Sequence, residues 1–166
     1  VPIKLGATAY VSHLSFRPVL LAYAVNGGRI MVTDDFSKVP AAIAQAMTQD
    51  HEFVAHNAEF DRAVFRKVFK SRKSEWIDTA AACRALSIPA SLDSAAEFHG
   101  IGRKLDTGKA LLKKLEKGET LEKAEQKALR EYAMHDVRLL RWLHLHIGDP
   151  IGGPLWFIYR VHKLHL

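Results

Sequence analysis

Two apolar runs joined by a glycine turn constrain the fold of this chain more than any other feature. Residues 18–25 read Pro-Val-Leu-Leu-Ala-Tyr-Ala-Val and residues 29–33 read Arg-Ile-Met-Val-Thr, and both runs are strand-like. Between them lies Asn26-Gly27-Gly28, where glycine tolerates the positive φ of a tight turn. The sequence therefore predicts a β-hairpin that follows a first strand containing Ile3 and Leu5.

Helical and strand-like segments alternate through the rest of the chain. Further strands are predicted at residues 52–56 and 76–79, and helices at residues 38–49, from 57 onward, from about 79 to 98 with a break near Pro89, at 106–115 and at 120–146. Residues 155–166 read as an amphipathic helix that leads out of the domain. This order by itself predicts an α/β domain.

Size and charge limit the classes of protein that fit. A chain of 166 residues suits one domain and buries roughly 70% of its unfolded surface. The net charge of +6 makes a partner that carries phosphates plausible. The single cysteine, Cys83, excludes an intrachain disulfide and fits a reducing compartment. No apolar run reaches the ~18 residues that a membrane span needs.

Two polar clusters carry the candidate chemistry. They are His56-Asn-Ala-Glu-Phe-Asp61 and Tyr132-Ala-Met-His-Asp136. Tyr132 and Asp136 are four residues apart in a helical segment, so their side chains share one face. Taken singly, Asp61 could be a first-turn acid favoured by the helix dipole, and Asp136 a solvated residue paired with an arginine. Occurring together in this order, the clusters favour one shared site.

The two clusters resemble known motifs. Asn-x-x-Phe-Asp followed by Tyr-x-x-x-Asp resembles the second and third motifs of DEDD 3′-5′ exonucleases of the tyrosine subtype, and the resemblance covers nearly the whole chain. The surrounding segments look most like the proofreading domain of bacteriophage-type family A DNA polymerases. The resemblance implies a ribonuclease-H-like exonuclease fold in residues 1–148, with a mixed central sheet flanked by helices. Residues 149–166 would be a linker or helix that leads to a polymerase domain.

The first motif of that family, Asp-x-Glu, is missing. The corresponding place reads Gly6-Ala7-Thr8-Ala9-Tyr10, so Ala7 stands at the Asp position and Ala9 at the Glu position. On a strand, residues two apart point to the same face, as two acids that share a metal must. We interpret the alanines as a deliberate double exchange that disables the enzyme. The alternative is a natural pseudo-exonuclease that binds nucleic acid without cleaving it.

The resemblance also implies metal ligands. Cleavage of a phosphodiester by two metal ions about 3.5 to 4 Å apart needs several converging carboxylates. Mg²⁺ or Mn²⁺ selects oxygen ligands of this kind. Asp61 and Asp136 would bind the two ions together with the acids lost at positions 7 and 9, and Tyr132 would orient the attacking water. Only two of the four acids remain in this chain.

Further residues are candidates for binding nucleic acid. His56, Asn57 and Phe60 flank the second motif and could contact the terminal nucleotide, although Phe60 could equally belong to the core. A basic run that includes Lys104, Lys109 and Lys113 could follow the phosphates of a single strand, or could be a solvated face.

The expected substrate is the 3′ end of single-stranded DNA, handled by a monomer in the cytoplasm of a bacterium or of a phage-infected host. A free-standing exonuclease is the alternative, and RNA stays open as a substrate because nothing in the sequence reads a 2′-hydroxyl.

Overall fold

The chain folds into a five-stranded sheet flanked by helices. The computed structural model describes residues 6–25, 27–49, 51–72 and 76–148, together with the backbone of residues 155–164. The helices in these residues are α1 (Ala7–Ser12), α2 (Ala41–Thr48), α3 (Ala58–Phe69), α4 (Thr79–Ala85), α5 (Leu92–Phe98), α6 (Thr107–Glu116) and α7 (Lys123–Ile147). The strands are β1 (Phe16–Val25), β2 (Met31–Thr33), β3 (Glu52–Ala55), β4 (Trp76–Asp78) and β5 (Leu155–Leu164).

The sheet is mixed, as the resemblance implies. Its strand order is β2-β1-β5-β3-β4. Strand β1 runs antiparallel to β2 and β5, whereas β3 runs parallel to β5 and β4. The predicted α/β class is confirmed.

Strand β1 explains how both faces of the sheet become covered. Leu20, Ala22 and Ala24 point to one face and join a core with α4, α5, α6 and α7. Leu21 and Tyr23 point to the other face, where they meet side chains of α2 and α3. Because successive strand residues alternate between faces, a strand buried on both sides reads as one continuous apolar run. That run is the one the sequence shows at residues 18–25.

The predicted hairpin and most of the predicted helices are confirmed. The backbone N–H of Gly28 donates to the carbonyl of Val25 at 2.8 Å in the turn between β1 and β2. Helix α2 begins just after Pro40, which lacks the N–H that a helix interior requires. The Ser91 hydroxyl caps α5 by accepting from the N–H of Ser94 at 3.1 Å. Helix α7 spans 25 residues, close to the predicted range.

The prediction of a helix in residues 155–166 is wrong. Residues 155–164 form β5, which lies in the middle of the sheet between β1 and β3. The segment Leu-Trp-Phe-Ile-Tyr-Arg-Val is rich in aromatic and β-branched residues, which favour a pleated strand. This segment therefore belongs to the sheet of the domain, not to a linker beyond residue 148. The predicted first strand at Ile3 and Leu5 lies outside the described residues.

None of the helices in the described part of the chain is both long and apolar enough to span a bilayer.

Candidate active site

Helix α7 carries the third motif on its buried face. Tyr132 is 3% exposed and Asp136 is 0% exposed. They lie one turn apart on the side of α7 that also carries the core residues Leu129, Leu139 and Leu140. The prediction that they share one face of a helix is confirmed. A fully buried aspartate needs a compensating charge, because taking a carboxylate out of water is costly.

Lys104 supplies that charge. Its ammonium nitrogen lies 2.7 Å from Oδ2 of Asp136 and 5.2 Å from the centre of the Tyr132 ring. Burial opposes the charge on Lys104, but the Asp136 carboxylate and Tyr132 outweigh burial and raise the pKa of Lys104 above its usual value. Lys104 therefore keeps its positive charge beside Asp136.

The position of Lys104 corrects its predicted role. The sequence leaves open whether the basic run with Lys104 follows phosphates or is a solvated face, whereas in the structure the Lys104 ammonium lies against the buried Asp136. The segment that carries it is held in place because the backbone N–H of Lys104 donates to Oδ1 of Asp93 at 2.7 Å. Lys109 and Lys113, by contrast, are exposed on α6 and can meet solvent or phosphates.

Gly108 makes room for Tyr132. Gly108 is buried in the first turn of α6, and a Cβ added there would lie 2.2 Å from two carbons of the Tyr132 ring. No side chain fits between α6 and the ring at this point. An isolated glycine inside a helical pattern is the sequence signal for such a close approach.

We expect Gly108→Ala to destabilise the domain and displace the Tyr132 ring. Overpacking typically costs about 1–3 kcal/mol, which exceeds the up to ~1 kcal/mol that alanine gains over glycine in a helix. Urea unfolding measures the change in the free energy of unfolding. Adding Tyr132→Leu should recover part of the loss by removing the ring, and Lys113→Ala on the exposed face of α6 serves as the control. If Gly108→Ala is as stable as the parent, the close contact with Tyr132 is wrong.

The second motif lies at the start of α3. Asp61 is 3% exposed in the first turn of α3, where the helix dipole favours an acid. Asn57 precedes the helix with a left-handed φ of 65°, and its side chain is exposed. Its backbone N–H donates to Oδ1 of Asp78 at 2.9 Å. The same oxygen of Asp78 accepts from the N–H groups of Ala80 and Ala81, so the Asp78 side chain caps α4.

His56 is held inside the protein by both ring nitrogens. Nδ1 lies 2.9 Å from the hydroxyl oxygen of Thr79, and Nε2 lies 2.8 Å from the carbonyl oxygen of Ala90. Burial, partly offset by the bond to the Ala90 carbonyl and by Asp78, lowers the pKa of His56, so its ring is neutral near pH 7. These bonds connect the end of β3 to α4 and to the segment before α5. They give His56 a structural role at this junction.

Phe60 packs against α1. Its ring meets the ring of Tyr10 edge to face, with centroids 6.0 Å apart. It is partly buried against the cluster formed by Tyr10, Val11, Phe16 and Val64. Of the two roles that the sequence leaves open for Phe60, these contacts describe the core role.

The predicted strand at positions 7 and 9 is wrong. Both residues lie in α1, where Ala7 is buried and Ala9 is exposed. Residues two apart in a helix point about 200° away from each other, so these positions do not share a face. Alanine is the strongest helix former, and α1 is anchored by Tyr10 and Val11 and by Lys67, whose ammonium donates to the carbonyl of Val11 at 2.6 Å.

The donor set does not fit a centre of two metal ions. Asp61 and Asp136 offer carboxylate oxygens, but Ala7 and Ala9 offer none, and a lysine ammonium lies against Asp136. In the ranges that the structure describes, no three acidic, histidine or cysteine side chains form a group that could hold a metal ion. The Lys104 ammonium lies 2.7 Å from Oδ2 of Asp136, where a metal ion bound to that oxygen would have to lie.

Comparison with known proteins identifies the family. A family model described as 3′-5′ exonuclease matches residues 25–151, which include Asp61, Tyr132 and Asp136. Positions 7 and 9 and strand β5 lie outside the matched residues. No curated protein and no solved structure gives a significant match. Because the family model covers more than half of the chain and contains its buried tyrosine–aspartate pair, the chain belongs to the 3′-5′ exonuclease family.

Proposed function

We propose that this domain binds the 3′ end of single-stranded DNA and that its hydrolysis is lost because alanine occupies positions 7 and 9. The observation that carries the proposal is the buried pair of Tyr132 and Asp136 on α7. The missing side chain of Gly108 leaves room for the tyrosine ring. A domain with no use for a tyrosine at this place could fill the space with an ordinary apolar side chain.

The remaining residues divide between binding and chemistry. The exposed side chain of Asn57, at the start of α3, can form hydrogen bonds with a nucleotide. The exposed Lys109 and Lys113 can neutralise phosphates along the strand. Family members of this kind work with Mg²⁺ or Mn²⁺, and in this chain Asp61 and Asp136 are the acids that remain for such ions. Two acids are too few to hold two metal ions. The domain should therefore still bind the strand but not cleave it.

The resemblance also underlies two broader parts of the proposal. We propose that the domain is of the tyrosine DEDD subtype and phage type, and that a family A DNA polymerase is its covalent partner. These parts rest on the segments around the motifs. Activity and binding of the domain can be tested without the polymerase.

The test compares digestion with binding on one labelled oligonucleotide. With Mn²⁺ or Mg²⁺ present, we expect the chain to bind single-stranded DNA that has a free 3′ end and to digest no more than a trace. Ala7→Asp with Ala9→Glu should restore digestion only if residues 7–9 also change from helix to strand, because in α1 the two side chains point about 200° apart; either change alone should not. Ala7→Asn with Ala9→Gln is the matched control, because it adds the same bulk without the charges.

Each part of the proposal has its own contrary result. Robust digestion by the chain as it stands would show that hydrolysis is not lost. Equal affinity for a linear strand and for a covalently closed circle, which has no 3′ end, would contradict binding of the end. The double acidic variant has to be checked for folding by circular dichroism, because position 7 is buried in α1.

A second candidate function is a natural binding module without catalysis. The ion pair between Lys104 and Asp136 favours it, because the aspartate is neutralised by the protein itself. If the double acidic variant binds DNA and gains a strand at residues 7–9 but stays inactive, this second function is the correct one.

A further inference from the structure

A groove with strong positive charge lies on the outer side of α7. It has a volume of about 500 Å³ and runs between α7 and the turn that joins β1 to β2. Three of its lining residues are arginines, Arg29, Arg138 and Arg141, and none is acidic. Trp142 and Leu145 complete the wall on α7.

The groove is separate from the site at Asp136. Met134, Arg138, Trp142 and Leu145 follow each other at intervals of four, four and three residues, so they form one stripe along α7. In a helix, position 138 is rotated about 200° from position 136. The stripe therefore faces solvent while Asp136 faces the core.

The turn fixes the opposite wall. Nη1 of Arg141 donates to the carbonyl oxygen of Gly28 at 3.0 Å, which ties α7 to the turn. Arg29, the next residue, is exposed and projects from this wall.

The charge of the groove is not cancelled nearby. Arg29 and Arg138 are exposed, and within the described residues neither forms an ion pair with a carboxylate. The acid that precedes the stripe on α7 is Glu131, and Lys127 lies 4.0 Å from it. A partner with repeated negative charges would match this surface.

Apolar surface accompanies the charge. Trp142 is 56% exposed and Leu145 is 65% exposed. An exposed indole beside arginines is the combination by which proteins hold single strands, since bases stack on the ring while phosphates meet the cations. A duplex hides its base faces, so it cannot use the indole in this way.

We propose that this groove binds single-stranded nucleic acid, with Arg29 and Arg138 on phosphates and Trp142 stacked on a base. The inference rests on the proposed function, because it gives the strand whose end is bound near Tyr132 a second contact. It differs from that function in one testable respect, since the groove needs no 3′ end.

The test uses an internally labelled circle of oligo(dT), which has no end, and measures binding by fluorescence anisotropy over a range of salt concentrations. Arg29→Ala with Arg138→Ala should weaken binding and reduce the slope of log affinity against log salt by about 1.4, because each single-strand phosphate contact contributes about 0.7. Trp142→Ala should weaken binding roughly five- to 150-fold, and Trp142→Phe much less, because the phenyl ring still stacks.

The matched control removes two exposed arginines from other helices, Arg66→Ala with Arg84→Ala, and should leave the salt slope nearly unchanged. If both double variants weaken binding of the circle equally, the proposed binding in the groove is wrong and only general charge attraction remains. Circle binding that is unchanged by Trp142→Ala would also overturn it. So would self-association in sedimentation that is lost with Trp142→Ala, because the stripe would then contact a second copy.

Failure of the groove and failure of the proposed function are distinguishable. A linear strand with a free 3′ end reports on the proposed end-binding site near Tyr132. Its higher affinity relative to the circle should persist in the groove variants. If that advantage is absent in the parent chain while the circle still responds to Arg29 and Trp142, the end-binding function is wrong and the groove stands. If the linear strand binds more tightly than the circle but the groove variants do not weaken binding of the circle, the groove proposal is wrong and the end-binding function stands.

Discussion

Lys104→Met should lower the free energy of unfolding by about 3–5 kcal/mol, the usual cost of removing one partner from a buried ion pair. Asp136 is 0% exposed, and the variant takes away the ammonium that lies 2.7 Å from its carboxylate. Methionine keeps most of the length and the apolar stem of lysine, so lost packing contributes little. Urea unfolding followed by circular dichroism measures the change.

Two further variants separate charge from packing. Asp136→Asn added to Lys104→Met should recover much of the lost stability, because a neutral amide needs no compensating cation. Lys109→Met removes a lysine from the exposed face of α6 and should change stability by no more than about 0.5 kcal/mol. If Lys104→Met is no more harmful than Lys109→Met, the ion pair does not stabilise the buried aspartate.

Phe157→Pro should abolish cooperative folding. Phe157 is paired with Ala24 of β1 on one side and with Val54 of β3 on the other. Proline has no N–H to donate, so in a middle strand it removes a backbone hydrogen bond to a neighbouring strand. It is therefore found almost only in edge strands. A domain of this kind has about 5–15 kcal/mol of stability to lose, and separating the two halves of the sheet should consume most of it.

The readout for Phe157→Pro is the shape of the thermal and urea transitions. We expect a broad, non-cooperative loss of the circular dichroism signal, whereas the control Phe157→Val should keep a cooperative transition, because valine also favours strands. A cooperative transition near the midpoint of the parent would show that residues 155–164 are not the middle strand. The prediction of a linker after residue 148 would then be restored.

The parts of the fold that the sequence predicts are those with a clear local period. The hairpin at β1 and β2 follows from a glycine turn between two apolar runs, and α7 follows from a long helical pattern. Strand β5 could not be predicted in the same way. Its aromatic run fits a strand or a buried helix, and its partners β1 and β3 lie more than a hundred residues away along the chain.

The candidate site shows the same division. Tyr132 and Asp136 were predictable as a pair because four residues make one helical turn. The helix at Ala7 was not predictable. The conformation of so short a segment depends on the packing of Tyr10 and Val11 against α3 as well as on its own sequence pattern. The inward turn of Lys104 was not predictable either, since a lysine in a basic run gives no local sign that its ammonium is buried.

The position of β5 has a consequence for how the protein is made. Strands β1 and β3 lie on either side of a strand that is synthesised after nearly all the rest of the domain. Contacts this distant in sequence slow folding, and until they form the nascent sheet exposes two open strand edges that can pair with other chains. A recombinant fragment that ends at residue 151 would lack β5 but keep β1 and β3, so those edges would stay open permanently. It should aggregate where a chain that includes β5 stays soluble.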